Sequence, residues 1–304
     1  MSRRIGLTGC GRWGRNILRD LLRLECQVWV HDPDPAAREA ALAAGAAAAA
    51  ADLADWPADL DGFVVASPTT CHGDSVRALL PRGRSVFCEK PLTPGLDDAR
   101  ELAAAAGDRL FVMDKWRYHP GVEALAQIAR SGELGAVQQV RTRRVQWGQP
   151  HADVDGVWIL APHDVSIVQH ILGHLPEPLA ASGDWSGDRL DGLVAVLGGR
   201  PGAVIEVSSR LPQPARLVSV SFDDGVAWLA DPLDDHVRVW RGAPGQDINP
   251  DGWERRAVDT EWPLYLELKR FVGHLGGGPP PYTDARAAVE QVALIERLRE
   301  MAGD

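Results

Sequence analysis

The sequence predicts an α/β protein in two parts: a doubly wound parallel sheet over residues 1–117, then an α+β part over residues 118–304 with a largely antiparallel open sheet. Three observations predict it. Short apolar runs alternate with helix-patterned segments through the first part. The first apolar run ends in a glycine turn that opens a helix, Gly9-Cys10-Gly11-Arg12-Trp13-Gly14. Beyond Tyr118-His119-Pro120 the apolar residues recur at every second position instead.

Ile5 to Thr8 reads as the first strand, and Trp13 to Leu24 as a helix with Ile17, Leu18, Leu21 and Leu22 on one face. Gln27 to Val30 is the second strand, ending at His31-Asp32. Pro33-Asp34-Pro35 turns the chain into a helix-prone Ala36 to Ala44. The alanine run Ala46 to Ala51 reads as a thin connection. Gly62 to Ala66 is continuously apolar, as a strand covered on both faces should be. It ends in Ser67-Pro68-Thr69-Thr70, before His72 and a helix to Leu80. Ser85 to Cys88 is the next strand, ending in Glu89-Lys90-Pro91. A helix from Gly95 to Ala105 and a strand from Leu110 to Met113 complete the first part.

In the second part a helix runs to Arg130 and a long strand from Val137 to Gln146. Leu193 to Leu197 pairs with Val204 to Val207 around a Gly/Pro turn. Val218, Val220 and Phe222 return through Asp224-Gly225 into Val226 and Trp228, a hairpin pattern. Arg241 to Asp251 reads as a loop. Ala285 to Met301 closes the chain as a helix with Val289, Val292, Ile295 and Leu298 on one face. Trp158, Trp185, Trp228 and Trp240 read as core or interface residues, and no internal repeat is found.

Length, at 304 residues, exceeds what one hydrophobic core usually serves. Hydrophobic residues make up 45% and charged residues 24%, the balance of an ordinary globular chain. A net charge of -10 argues against a nucleic-acid or membrane-surface binder, either of which needs a basic face. The four cysteines include no CxxC pair and read as thiols of a reducing compartment. With no signal peptide pattern and no membrane-length apolar run, a cytoplasmic location is expected. His72, His163, His170 and His174 lack ligand spacing with Cys or carboxylates, so no metal is expected.

Gly9 permits the tight turn, Gly11 a close approach of backbone to a pyrophosphate, and Gly14 close packing of helix on strand. The helix N-terminus offers N–H groups and positive dipole charge to phosphates. Asp32 stands about 20 residues on, where a ribose 2′-hydroxyl is gripped, and its carboxylate would repel a 2′-phosphate. The expected cofactor is therefore NAD rather than NADP. The rival reading is a glycine turn with an unrelated surface Asp. In such sheets ligands sit beyond the carboxyl ends of the strands. The glycine turn, Asp32, Ser67-Pro68 and Glu89-Lys90-Pro91 all lie at those ends.

Cys88-Glu89-Lys90-Pro91-Leu92 and Trp158-Ile159-Leu160-Ala161-Pro162-His163-Asp164, together with the glycine turn, resemble the glucose–fructose oxidoreductase / inositol dehydrogenase / rhizopine catabolism (Gfo/Idh/MocA) family. The resemblance spans nearly the whole chain and takes in Val65 to Pro68, Tyr118 to Pro120 and Gly132 to Gly135. It implies a Rossmann domain and hydride transfer between a ring hydroxyl of a sugar, cyclitol or nucleotide sugar and NAD. Asp153 to Gly173 looks most like members acting on nucleotide-linked amino sugars, which suggests C3 of a UDP-amino sugar. The implied cofactor contacts are Gly9, Gly11, Arg12, Trp13, Gly14, Asp32, Ser67, Pro68, Thr69, His72, Glu89 and Lys90. Tyr118, His119 and Arg144 are candidate substrate contacts. Assembly into a homodimer or homotetramer through the second sheet is implied as well.

By the same resemblance Lys90 and His163 are the catalytic pair. Removing a proton from a secondary alcohol needs a base near neutrality. A free lysine, with pKa near ~10.4, would have to lose about 4 kcal/mol of preference for its proton, whereas a free histidine near ~6.5 is already poised. His163 is therefore favoured as base and Lys90 as the cationic donor that stabilises the developing alkoxide. Burial beside a cationic nicotinamide would swap these roles. The rival readings are an exposed strand-end lysine for Lys90, which its place in the crevice before a proline disfavours, and a helix-start histidine satisfied by backbone for His163, which without the resemblance stands level with the site role. The Lys90–Pro91 bond is a candidate cis peptide. Many family members carry Asp four residues before the histidine, and here Ile159 stands there. That departure keeps open a different substrate or a non-catalytic NAD-binding sensor, beside a keto-sugar reductase running in reverse.

Overall fold

The computed structural model describes residues 2–149, 153–243, 245 and 252–303. Strand and helix alternate through β1 (Arg4–Thr8), α1 (Gly14–Arg23), β2 (Gln27–His31), α2 (Pro35–Ala43), β3 (Ala48–Ala50), β4 (Gly62–Val65), α3 (His72–Leu79), β5 (Ser85–Glu89), α4 (Leu96–Ala106) and β6 (Leu110–Met113). There follow α5 (Pro120–Ser131), β7 (Val137–Trp147), α6 (Gly156–Leu172), β8 (Pro178–Ser186), β9 (Arg189–Leu197), β10 (Gly202–Ser208), β11 (Arg210–Phe222), β12 (Gly225–Leu229), β13 (His236–Arg241) and β14 (Glu254–Ala257). The helices α7 (Pro263–His274) and α8 (Ala285–Gly303) close the chain.

The first sheet is parallel throughout, in the order β3-β2-β1-β4-β5-β6. Strand order reverses at β1, so the crevice lies where β1 and β4 part. The alanine run expected as a connection contains strand β3, whose Ala48 to Ala50 pair with Trp29 to His31. Alanine propensity disfavours a strand, but pairing with β2 supplies what propensity lacks.

The second sheet has the order β14-β13-β12-β11-β7-β10-β9-β8 and is antiparallel except between β7 and β10. The expected pairs β9–β10 and β11–β12 are present, with Phe222 opposite Gly225 at the hairpin. The strands β8, β13 and β14 carry no clean alternation and are additions to the sequence reading. Of the loop expected over Arg241 to Asp251, residues 244 and 246–251 lie outside the described residues.

The chain forms two compact units. One comprises Met1–Lys115 and Leu264–Val292, the other Trp116–Pro263 and Ala293–Asp304. The division at 117/118 expected from sequence placed 264–292 with the second part. The reason for the difference is α7. Its Leu264, Leu268 and Phe271, at i, i+4 and i+7, join the core that Ile5, Leu7, Ile17 and Val64 form. The Phe271 ring stacks on Phe87 with centroids 4.9 Å apart.

Phe271 is fully buried, so Phe271→Ala should cost about 3–5 kcal/mol of stability in urea unfolding. A loss below about 1 kcal/mol would show that α7 is not part of this core.

Candidate functional site

The glycine turn is built by close approaches that a side chain would prevent. A Cβ on Gly14 would lie 2.2 Å from the carbonyl oxygen of Gly9. One on Gly9, whose φ is +85°, would lie 2.5 Å from the carbonyl of Ala66. A Cβ on Gly11 would meet nothing within 4 Å, so this peptide faces open space. Helix α1 starts here with no side-chain cap on its N-terminus. Its leading N–H groups have no partner within the helix.

Asp32 completes the turn. Its Oδ2 accepts from Cys10 N at 2.7 Å and its Oδ1 from Asp34 N at 2.9 Å. A carboxylate offers about four acceptor positions, which leaves capacity for a hydroxyl. Arg38, on α2, donates to the carbonyls of Asp32 and Pro33 and braces the same loop.

Ser67, Pro68 and Thr69 follow β4, and Glu89 and Lys90 end β5, the neighbouring strand. Ser67 Oγ lies 3.1 Å from Ser75 Oγ, and Thr69 is buried. The Lys90–Pro91 bond is cis. Glu89 is buried, accepts from Trp13 Nε1 and also accepts from Lys90 N at 3.2 Å. The Lys115 ammonium stands 4.2 Å from the centre of the Trp13 ring. Burial pushes the Glu89 carboxyl up, while Lys90, the Trp13 N–H and Lys115 pull it down.

Beyond Glu89 is a group that sequence reading missed. Glu267, on α7, is fully buried, and neither carboxyl oxygen has a hydrogen-bond partner among the described residues. Asp114 is equally buried, but its Oδ2 accepts from Thr283 Oγ1 and Gln291 Nε2. Burial first, then the charge of Glu89, push Glu267 well above the usual carboxylate range, with Asp114 adding to the rise and Lys115 opposing it. No motif pointed to Glu267, because its neighbours are assembled only by the packing of α7.

In the second unit α6 is capped by Asp155, whose Oδ1 accepts from Trp158 N at 3.2 Å. His163 is therefore inside this helix and not at its start, where the rival reading placed it. Pro162 precedes it within the helix. Every residue from 154 to 171 is buried except His163, which is half-buried. Ile159, one turn earlier, is buried.

Next to His163 in sequence, Asp164 accepts from Arg144 Nε, and both side chains are nearly inaccessible. Burial pushes the Asp164 carboxyl up and the Arg144 guanidinium down, and the ion pair opposes both. Arg144 lies 4.1 Å from the Trp116 ring centre. Trp116 in turn stacks on His119 at 5.0 Å and meets His163 edge-on at 6.5 Å. His119 Nδ1 accepts from Gly121 N at 3.1 Å, and Nε2 donates to Pro232 O at 2.9 Å. Both nitrogens thus serve the fold, and burial lowers the pKa of the ring. Tyr118 is buried. His170 Nε2 lies 2.6 Å from Glu123 Oε2.

Residues 3–112 match the GFO_IDH_MocA model, the oxidoreductase family with an NAD-binding Rossmann fold. Over those residues the chain is similar to the Gfo/Idh/MocA family. The chain is 32% identical over 199 residues to trans-1,2-dihydrobenzene-1,2-diol dehydrogenase of Bos taurus, covering 60% of this chain and 58% of that one. It is 28% identical over 196 residues to inositol 2-dehydrogenase of Rhizobium meliloti (strain 1021), again covering 60% and 58%. These matches span under two thirds of each relative's length. In fold it is similar to UDP-N-acetylglucosamine 3-dehydrogenase from Acidithiobacillus ferrooxidans, with TM-score 0.84 and 23% identity over 99% of this chain and 97% of that one. The residues present fit NAD: an open glycine peptide, an uncapped helix start and a carboxylate with spare acceptor capacity.

Glu267→Gln tests the buried carboxyl. A folded-state pKa above the unfolded one, about 4.3, makes the folded chain hold a proton the unfolded chain has released. That contribution is lost as pH rises from the ordinary carboxylate range toward the raised value. Melting of the unsubstituted protein should therefore fall relative to Glu267→Gln between pH 5 and pH 8. Parallel melting curves would refute a protonated Glu267.

Proposed function

We propose that this protein is an NAD-dependent dehydrogenase acting on a ring hydroxyl of a sugar, cyclitol or nucleotide sugar, C3 of a UDP-amino sugar included. The observation that carries this reading is the bond from Trp13 to Glu89. It fastens the glycine turn to the strand end that bears Lys90. In this reading Gly9, Gly11, Arg12 and Gly14 hold the pyrophosphate and Asp32 the ribose. Ser67, Pro68, Thr69 and Glu89 line the remainder of the cofactor. Bound NAD supplies the hydride acceptor.

The protein's own groups handle the proton. Lys90 donates a hydrogen bond to the substrate oxygen and stabilises its developing negative charge. His163 takes the hydroxyl proton, and its exposure on an otherwise buried helix supports that role. Tyr118 contributes to the substrate site. His119 and Arg144 serve it indirectly, since His119 caps α5 and Arg144 holds Asp164 against Trp116. The sheet of the second unit is proposed to bury its open face in a homodimer or homotetramer. Val194 and Val196, which alternate with buried Leu193, Ala195 and Leu197, are exposed. Free thiols at Cys10, Cys26, Cys71 and Cys88 support a cytoplasmic location.

A non-catalytic NAD-binding sensor is the second reading, and buried Ile159 favours it, because an apolar side chain offers a substrate hydroxyl no acceptor.

Purified protein with NAD should generate the absorbance of reduced nicotinamide with at least one of myo-inositol, UDP-N-acetylglucosamine and D-glucose. Binding of NAD and a sugar without turnover of any panel member, in either direction, would favour the sensor. Lys90→Ala should lower kcat by about 10²–10⁴-fold, far more than it weakens NAD binding. Retained turnover would remove Lys90 from the mechanism. Gly11→Ala should fold normally, since its Cβ meets nothing, yet bind NAD at least about tenfold more weakly by crowding the pyrophosphate. Unaltered affinity would place the pyrophosphate elsewhere.

A further inference from the structure

His72 opens α3 and is only 2% exposed. Its Nδ1 lies 2.8 Å from the carbonyl oxygen of Pro91, and its Nε2 3.0 Å from the carbonyl oxygen of Ser67. A carbonyl oxygen accepts and never donates, so each contact needs an N–H on the ring. A neutral imidazole has one. Its second nitrogen would turn a lone pair toward a carbonyl lone pair. Flipping the ring presents carbon to both oxygens and mends neither contact. Burial by itself favours the neutral ring. Two hydrogen bonds donated by a charged ring oppose it, each stronger than its neutral counterpart.

The two acceptors belong to two adjacent strand ends. Ser67 follows β4 and Pro91 follows β5, which pair in parallel. We propose that His72 is held as an imidazolium, and that it is a positioning residue which ties these two strand ends together and so sets the backbone carrying Ser67 and Lys90. With both nitrogens given to carbonyls, the ring acts through the loops it joins and not by touching the cofactor. The positioning role rests on the cofactor-lining reading of Ser67 and Lys90. The charge state of the ring does not.

Charged groups stand on α4, at the end of β5 and in the turn after α3, while β4, which also packs against α3, carries none. Helix α4 brings Asp98 and Glu101, which with Asp74 of α3 hold Arg77. Asp98 Oδ2 lies 2.6 Å from where a Cβ on Gly73 would stand, beside His72. The end of β5 brings Glu89 and Lys90. The turn after α3 brings Arg82, bonded to the carbonyls of Pro57 and Leu53.

The test starts with the unsubstituted, NAD-free protein, with ring nitrogens labelled with ¹⁵N and followed by NMR from pH 5 to pH 9. At pH 7.5 a free histidine, of pKa about 6.5, is about 90% neutral. His72 should still carry protons on both nitrogens at that pH, and a single neutral tautomer would overturn the proposal. The second measurement is NADH affinity, read by nicotinamide fluorescence at pH 6.5 and pH 9. The unsubstituted protein should lose about tenfold more affinity over that range than His72→Gln, whose side chain does not titrate. Parallel pH profiles would overturn the positioning role. Should Lys90 prove dispensable for turnover, the dehydrogenase reading fails while the NMR result stands by itself.

Discussion

The contact on which the first unit depends is between two backbones. The carbonyl oxygen of Gly9 occupies the space where Gly14 would carry a side chain, and Gly9 itself presses on the Ala66 carbonyl with a left-handed φ. Helix α1 can therefore begin almost on top of β1, with its N-terminus over the ends of β1 and β4. The turn is then locked from the β2 side, since Asp32 accepts from Cys10 N and the carbonyl of His31 accepts from Gly9 N. Three strand ends converge because these approaches are short. Larger side chains at Gly9 or Gly14 would separate them.

Around that rim the unit buries more charge than a stable core needs. Glu89 is satisfied by Trp13 and by the Lys90 peptide, while Asp114 accepts from Thr283 and Gln291 at Oδ2. Glu267 has neither kind of support. An ionised carboxylate without partners in such a place would cost several kcal/mol, so burial drives the group toward its protonated form. Opposed to these acids are Lys90 and Lys115. The rim is thus a place where protonation states are set by burial and by neighbours, as expected of a site that handles protons.

The second unit solves a different problem. Helix α6 is apolar on almost every side, and a proline inside it removes one backbone donor. Packing on all faces holds such a helix, and that packing leaves His163 as the one residue of 154–171 that is not buried. The Asp164–Arg144 pair and the stack of Arg144, Trp116 and His119 fix the ring that meets His163 edge-on. His119 and Arg144, candidate substrate contacts in the sequence, are both hydrogen-bonded within the unit.

What the sequence determined by itself is what depends on near neighbours. The glycine spacing, the strand-helix alternation, the Asp224-Gly225 hairpin and the strand-end positions of Asp32, Ser67 and Lys90 follow from local sterics and from periods of two and 3.6. Tertiary structure alone decided the rest. Ala48 to Ala50 became a strand because β2 offered an edge to pair with. Leu264 to Phe271 joined a core formed by residues 5–113, more than 150 residues earlier, which no local pattern can announce. Glu267 lost its water, and His72 gained two carbonyl acceptors, only when distant segments closed over them. Protonation depends on what surrounds a group in space, and that environment exists only once the chain has packed.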